Sequence, residues 1–113
     1  MSRHESSVRL RHMLDHAREA VAMAAGKTPK DLQNDRMLNL ALVRLLEVVG
    51  EAASRTPTEE RAQYNEIPWG SIVGLRNRLI HGYDSVDFEI LWQIINHDLP
   101  PLIKILEQRI PTA

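Results

Sequence analysis

Apolar residues recur at steps of three and four along most of the chain. Leu10, Leu14, Ala17, Val21 and Ala24 form one stripe, with Arg11, Asp15, Arg18 and Glu19 off it. That spacing predicts a helix over 6–25, stopped by Gly26, which accepts left-handed backbone angles. "TPKD" then offers Thr28 as a cap and Pro29 at a first helical position, so a short helical turn is expected. A second long helix is predicted from about Asn34 or Asp35 to Arg55. Leu38, Leu42, Leu45, Val49 and Ala52 make its main stripe, and Met37, Ala41, Leu46, Val48 and Ala53 make much of the remaining circumference apolar. Such a helix is central in its domain, touches a second subunit, or both. Gly50 inside it costs about 1 kcal/mol relative to alanine, so it marks either a close helix contact or a tolerated defect.

"RTPTEER" repeats the starting grammar. Thr56 and Glu59 resemble a capping box, which predicts a short helix over 57–63. Pro68 opens a third long helix whose buried side is Trp69, Ile72, Val73, Leu79 and Ile80, with Gly82 as its stop just after His81. The last helix begins after Asp84 or Ser85 as cap and carries the stripe Phe88, Leu91, Ile95, Leu99, Leu102 and Leu106. Asp87 and Glu89 suit its positive N-terminal end. Pro100 lacks a donor and clashes with the carbonyl four residues back, so a kink or break is expected near Asp98. Nothing alternates with period two over a useful length, so no strand is expected. The sum is an all-α, four-helix-bundle-like domain over 1–113, with short connecting helices and a kinked last helix.

Composition narrows the function. The 113 residues suit one domain, and 43% hydrophobic with 26% charged residues describes a folded, soluble chain. A formal net charge of −1 argues against coating nucleic acid by bulk charge, but leaves room for a local phosphate site. The absence of cysteine removes disulfides, thiol catalysis and Cys-ligated zinc. "MSRHESSVRL" has no apolar signal core and no apolar run approaches the roughly 18 residues of a membrane span, so a cytoplasmic location and no membrane partner are expected.

Three constellations could carry chemistry. His12 and His16, four apart on the first helix, could hold a metal, but no third ligand is evident and no H-E-x-x-H pattern exists; exposed polar residues are the plainer reading. Glu47 and Glu51 share a helix face, but without the Glu-x-x-His repeat of di-iron bundles; a salt bridge to Arg44 or Arg55 accounts for such residues, and better for Glu47 than for Glu51, which interrupts the apolar "VVGEAA". The third is "LRNRLIHGYD". It crowds Arg76, Asn77, Arg78, His81, Tyr83 and Asp84 at one helix end. Arg76 and His81 lie about 140° apart on a helix, since each residue advances about 100°. A helix C-terminus also attracts Arg and His through its dipole, so on the residues alone this is an ordinary helix end.

The phrases "LLEVVGEAA", "IPWGSIVGLRNRLIHGY", "VDFEILWQII" and "DLPPL", in that order, change the weighting. Together they resemble the HepT-like branch of the HEPN superfamily over most of 45–102, with the motif R-x4-H-x-Y complete as Arg76, His81 and Tyr83. Asn77 fits the polar residue often found after the motif arginine. The resemblance implies a small helical bundle that forms a homodimer and a metal-independent endoribonuclease needing no cofactor. Arg76 and His81 would be its catalytic pair, supported by Asn77, Arg78 and Glu51. It further implies a toxin paired with a nucleotidyltransferase antitoxin of the MNT type, which attaches AMP to Tyr83, with tRNA as one implied target.

The chemistry is reasonable for these residue types. RNA brings its own nucleophile, the 2′-OH; a histidine can take its proton, and an arginine fork can hold the phosphate. Cleavage would leave a 2′,3′-cyclic phosphate and a 5′-hydroxyl. AMP on Tyr83 would exclude RNA by bulk and charge. Two copies of Arg76, Arg78 and His81 across a two-fold axis would make a basic cleft from an acidic chain. The competing reading is a non-catalytic helical adaptor that binds the nucleotidyltransferase through the same surface. A plain structural bundle leaves the complete motif unexplained.

Overall fold

The computed structural model describes residues 3–82 and 85–110. Helix α1 spans Arg3–Met23 and turns at Gly26, whose φ of 76° lies in the left-handed region where glycine is favoured. The short α2, Pro29–Asn34, has a true capping box. The Thr28 hydroxyl accepts from the Asp31 N–H while the Asp31 carboxylate accepts from the Thr28 N–H. Asp35 then caps α3, Arg36–Ser54, by accepting from the Leu38 N–H. These starts follow the sequence reading closely.

The core is the meeting of the apolar faces. Leu10, Met13, Leu14, Ala17 and Ala20 of α1 are buried, as are Leu42, Leu45, Leu46, Val49, Ala52 and Ala53 of α3, and these two helices pack together. Asn39 is a buried polar residue, satisfied by donating to the Leu32 carbonyl, which ties α3 to α2. Not every apolar residue of α3 is inside: Met37 is 85% exposed at its start.

After α3 the chain departs from expectation at three points. The short helix α4, Thr58–Arg61, runs on as a 3₁₀ turn at Ala62–Tyr64, but its N-cap is Pro57. Thr56 is not the cap: its side chain is buried and its hydroxyl donates to the Ala52 carbonyl, closing α3 instead of opening α4. The next element is not one long helix. It divides at Gly74 into α5, Trp69–Val73, and α6, Leu75–Leu79. Val73, expected inside, is exposed, whereas Ile72, Leu75 and Leu79 are buried.

The third departure concerns the end of α6. It ends at Leu79, before His81, and the chain goes straight into a small antiparallel hairpin. Strand β1 is Ile80–His81 and β2 is Ser85–Val86, with Ile80 opposite Val86 and His81 opposite Ser85. Gly82 has φ of 72° and serves the hairpin turn, not a helix stop. The expectation of no strands therefore fails here: β-branched Ile80 and Val86 favour extended backbone, and two residues are too few to register as a period-two pattern.

The last helical stretch starts at α7, Phe88–Gln93, capped by Asp87 and not by Ser85; Asp84, the other expected cap, lies outside the described residues. A π-helical segment, Ile94–Asp98, leads into α8, Leu99–Arg109, with prolines in its first turn. The kink expected near Asp98 is present, and its cause is the one anticipated: Pro100 and Pro101 cannot continue a regular hydrogen-bond ladder. Leu91, Ile95, Leu99, Leu102 and Leu106 are buried as their stripe requires, with Phe88 half-buried. The fold is an all-α, multi-helix bundle with short connecting helices and a kinked last helix. Among the described residues no helix is long and apolar enough to cross a membrane.

Candidate active site

The segment holding Arg76 and His81 is anchored from three sides. First, α5 presses on α3 at Gly50. A Cβ built there would stand 3.2 Å from the Ile72 carbonyl oxygen, so Gly50 does mark a close contact. Second, Leu75 and Leu79 fasten the inner face of α6 into the core. Third, the hairpin pins the chain after α6, where the Asp87 N–H donates to the Leu79 carbonyl at 2.9 Å. Helix, turn and strand together hold a short polar stretch at the surface.

Arg76 points outward, its side chain 70% exposed, and its Nε lies 3.4 Å from Glu47 Oε2 on α3. The sequence reading expected Arg44 or Arg55 as partners for the two glutamates. Arg55 does pair with Glu51, at 2.9 Å, but Glu47 meets Arg76 across the helix contact. Between α3 and α5–α6 runs a groove of about 590 Å³, lined among others by Arg44, Glu47, Glu51, Arg76 and Asn77. The fold thus brings Arg76, Asn77 and Glu51 together.

Arg78 is placed elsewhere. Its guanidinium reaches Asp98 Oδ2 at 2.7 Å, beside a second groove of about 450 Å³ lined by Ser71, His97, Asp98 and Pro101. This ion pair ties α6 to the kink of the last helix. His81 leaves the helix altogether and sits on β1, 59% exposed at its side chain, with Nε2 3.7 Å from Asp87 Oδ2. The 140° separation of a continuous helix therefore does not apply between Arg76 and His81. Tyr83 lies outside the described residues.

Two neighbours of the motif were not singled out for this role from sequence: Glu47 beside Arg76, and Asp87 beside His81. Glu47 lies one helical turn before Gly50, so the small residue was the available signal that this face meets another helix. Asp87 becomes a neighbour of His81 only because the chain folds back at Gly82. His12 and His16 do not build a metal-like cluster: their rings meet edge-on at 6.2 Å, His16 Nδ1 lies 2.7 Å from the His12 carbonyl oxygen, and no group of three or more metal-ligating side chains occurs among the described residues.

An exposed arginine and an exposed histidine, held at a helix-to-hairpin junction of an all-α bundle, define a surface suited to meeting a phosphodiester. Comparison with known proteins places that surface in a family. Residues 13–109 match the family described as ribonuclease HepT-like, and the chain belongs to it. It is 34% identical over 99 residues to a candidate RNase of Caldanaerobacter subterraneus subsp. tengcongensis, covering 88% of each chain. It is 32% identical over 107 residues to a candidate RNase of Methanocaldococcus jannaschii, covering 95% of this chain and 98% of that one. A protein of Thermococcus cleftensis named as a probable ribonuclease HepT is 36% identical over 73 residues, 65% of this chain and 66% of its own. No solved structure gives a significant match.

Proposed function

We propose that the protein is a metal-independent endoribonuclease toxin that cleaves RNA through the 2′-OH. The observation that carries this reading is the complete Arg76, His81 and Tyr83 motif within the family-matched span, with the Arg76 and His81 side chains both exposed on one short segment. His81 takes the proton from the 2′-OH, and O2′ attacks phosphorus. The P–O5′ bond breaks, and the leaving oxygen is protonated to a 5′-hydroxyl while the other product is a 2′,3′-cyclic phosphate. Arg76 holds the phosphate and offsets the charge that grows on its equatorial oxygens. Asn77, next in the chain and lining the same groove, supports the backbone contact.

A homodimer completes the reading, because one acidic chain offers few cations to RNA and two facing copies offer twice as many. Silencing is assigned to an MNT-type nucleotidyltransferase partner that transfers AMP to Tyr83, placing bulk and negative charge two residues from His81.

Incubation of purified protein with total RNA, tRNA included, tests the catalytic step. Wild type should cleave, in EDTA as well, and His81→Ala and Arg76→Ala should each abolish cleavage while keeping the helical circular dichroism. Equal cleavage by wild type and both variants refutes the mechanism; no cleavage by wild type favours a non-catalytic adaptor. With the partner and ATP, the mass should rise by about 329 Da per AMP, and Tyr83→Phe should prevent it.

A further inference from the structure

Asp87 is held unusually firmly for a residue beside a surface histidine. Its Oδ1 accepts from the Ile90 N–H at 3.0 Å, capping α7, and its own N–H donates to the Leu79 carbonyl at 2.9 Å. Its backbone is extended, with φ −86° and ψ 104°, continuing from β2. Those bonds leave Oδ2 as the second oxygen, and it stands 3.7 Å from His81 Nε2. That distance is too long for a hydrogen bond but within range for a charge pair. A capping carboxylate cannot swing away without uncapping the helix, so its position relative to His81 is set by the fold.

From this geometry we infer that Asp87 is a positioning residue for His81: it orients the imidazole by its Nε2 side and stabilises the imidazolium that forms during RNA cleavage. The inference rests on His81 being the proton acceptor. With Nε2 turned to Asp87, Nδ1 is the ring nitrogen left to take the proton from the 2′-OH. The proton stays on the imidazole, and Asp87 remains a carboxylate throughout. The attraction is strongest when the ring is charged, which occurs as O2′ attacks and not when RNA first binds. Its loss therefore belongs in kcat and not in KM. Both side chains are part exposed, so the effect is far smaller than that of a buried carboxylate–histidine pair.

Asp87→Asn separates this role from capping, since asparagine caps helices as well as aspartate does. The variant should keep the wild-type melting temperature and KM, while kcat falls about three- to tenfold, the range expected of a part-exposed charge pair. Asp87→Ser, a second capping residue without charge, should behave the same way. Glu89→Gln, which removes a neighbouring exposed charge in the first turn of α7, should leave kcat unchanged. A readout independent of RNA is the NMR relaxation of the His81 ring, which should show a looser ring in Asp87→Asn than in wild type. Unchanged kcat in Asp87→Asn, an equal loss in Glu89→Gln, or identical ring order would each overturn the inference. If wild type cleaves no RNA, the ribonuclease reading fails, while the ring-order comparison still decides whether Asp87 positions His81.

Discussion

Gly50 offers a quantitative check of how the motif segment is held. A valine there places its Cβ 3.2 Å from the Ile72 carbonyl oxygen and adds two methyl groups at the α3–α5 contact. The obstacle is backbone, not the tip of a flexible side chain, so α5 must move or the helices must part. Overpacking of this kind costs about 1–3 kcal/mol. Valine's better helix propensity returns only a few tenths of a kcal/mol relative to glycine. The net expectation is a loss of about 1–2.5 kcal/mol. Unfolding entropy of about 2.1 cal/mol/K per residue, over 113 residues, turns each kcal/mol into about 4 °C of melting temperature. Gly50→Val should therefore melt about 4–10 °C below wild type. Gly70→Val is the internal control, because a Cβ at Gly70 meets nothing within 4 Å, and it should stay within about 2 °C. Thermal denaturation followed by circular dichroism at 222 nm measures both. Equal melting of Gly50→Val and Gly70→Val would refute the claim that Gly50 sets the spacing between α3 and the motif segment.

Other perturbations test the remaining supports. Leu79→Ala empties a fully buried position between Arg76 and Ile80 and should cost about 2–5 kcal/mol in urea unfolding. A double-mutant cycle of Arg78→Met and Asp98→Asn should give a coupling of about 0.2–1 kcal/mol that weakens in high salt, as befits a part-exposed pair. Asp31 is held below its ordinary value of 3.8 by the Thr28 N–H and hydroxyl. Its contribution should thus be full above that pH and vanish as pH falls through the lower folded value. Stability measured against pH for wild type and Asp31→Asn should converge in acid, and a gap that widens in acid would contradict the assignment. Thr28→Ala should cost about 1 kcal/mol through the same capping box.

Much of the architecture was legible from residues close together in the chain. Leu10, Leu14 and Ala17, or Leu91, Ile95 and Leu99, fall on one face whatever the tertiary context, because helical periodicity is local. The same holds for the Thr28 box, the Gly26 turn and the proline kink, each of which acts over three or four residues. The short third helix was less legible. Leu79, Ile80 and His81 continue a helical pattern well enough, but pairing of Ile80 with Val86 and the bond from Asp87 to Leu79 favour the extended form. Neither partner is visible to a local window.

The candidate site divides along the same line. The sequence alone named Arg76 and His81, because a motif is an order of residue types and survives without coordinates. It did not foresee that Arg78 turns to Asp98 while Arg76 turns to Glu47, nor that His81 stands on a strand beside Asp87. Those pairings join residues 20, 29 and 6 positions apart. Which carboxylate meets which cation is decided by helix packing at Gly50, the kink before Pro100 and the turn at Gly82. Charge attraction acts through space over a few ångströms, and only the folded chain sets those distances.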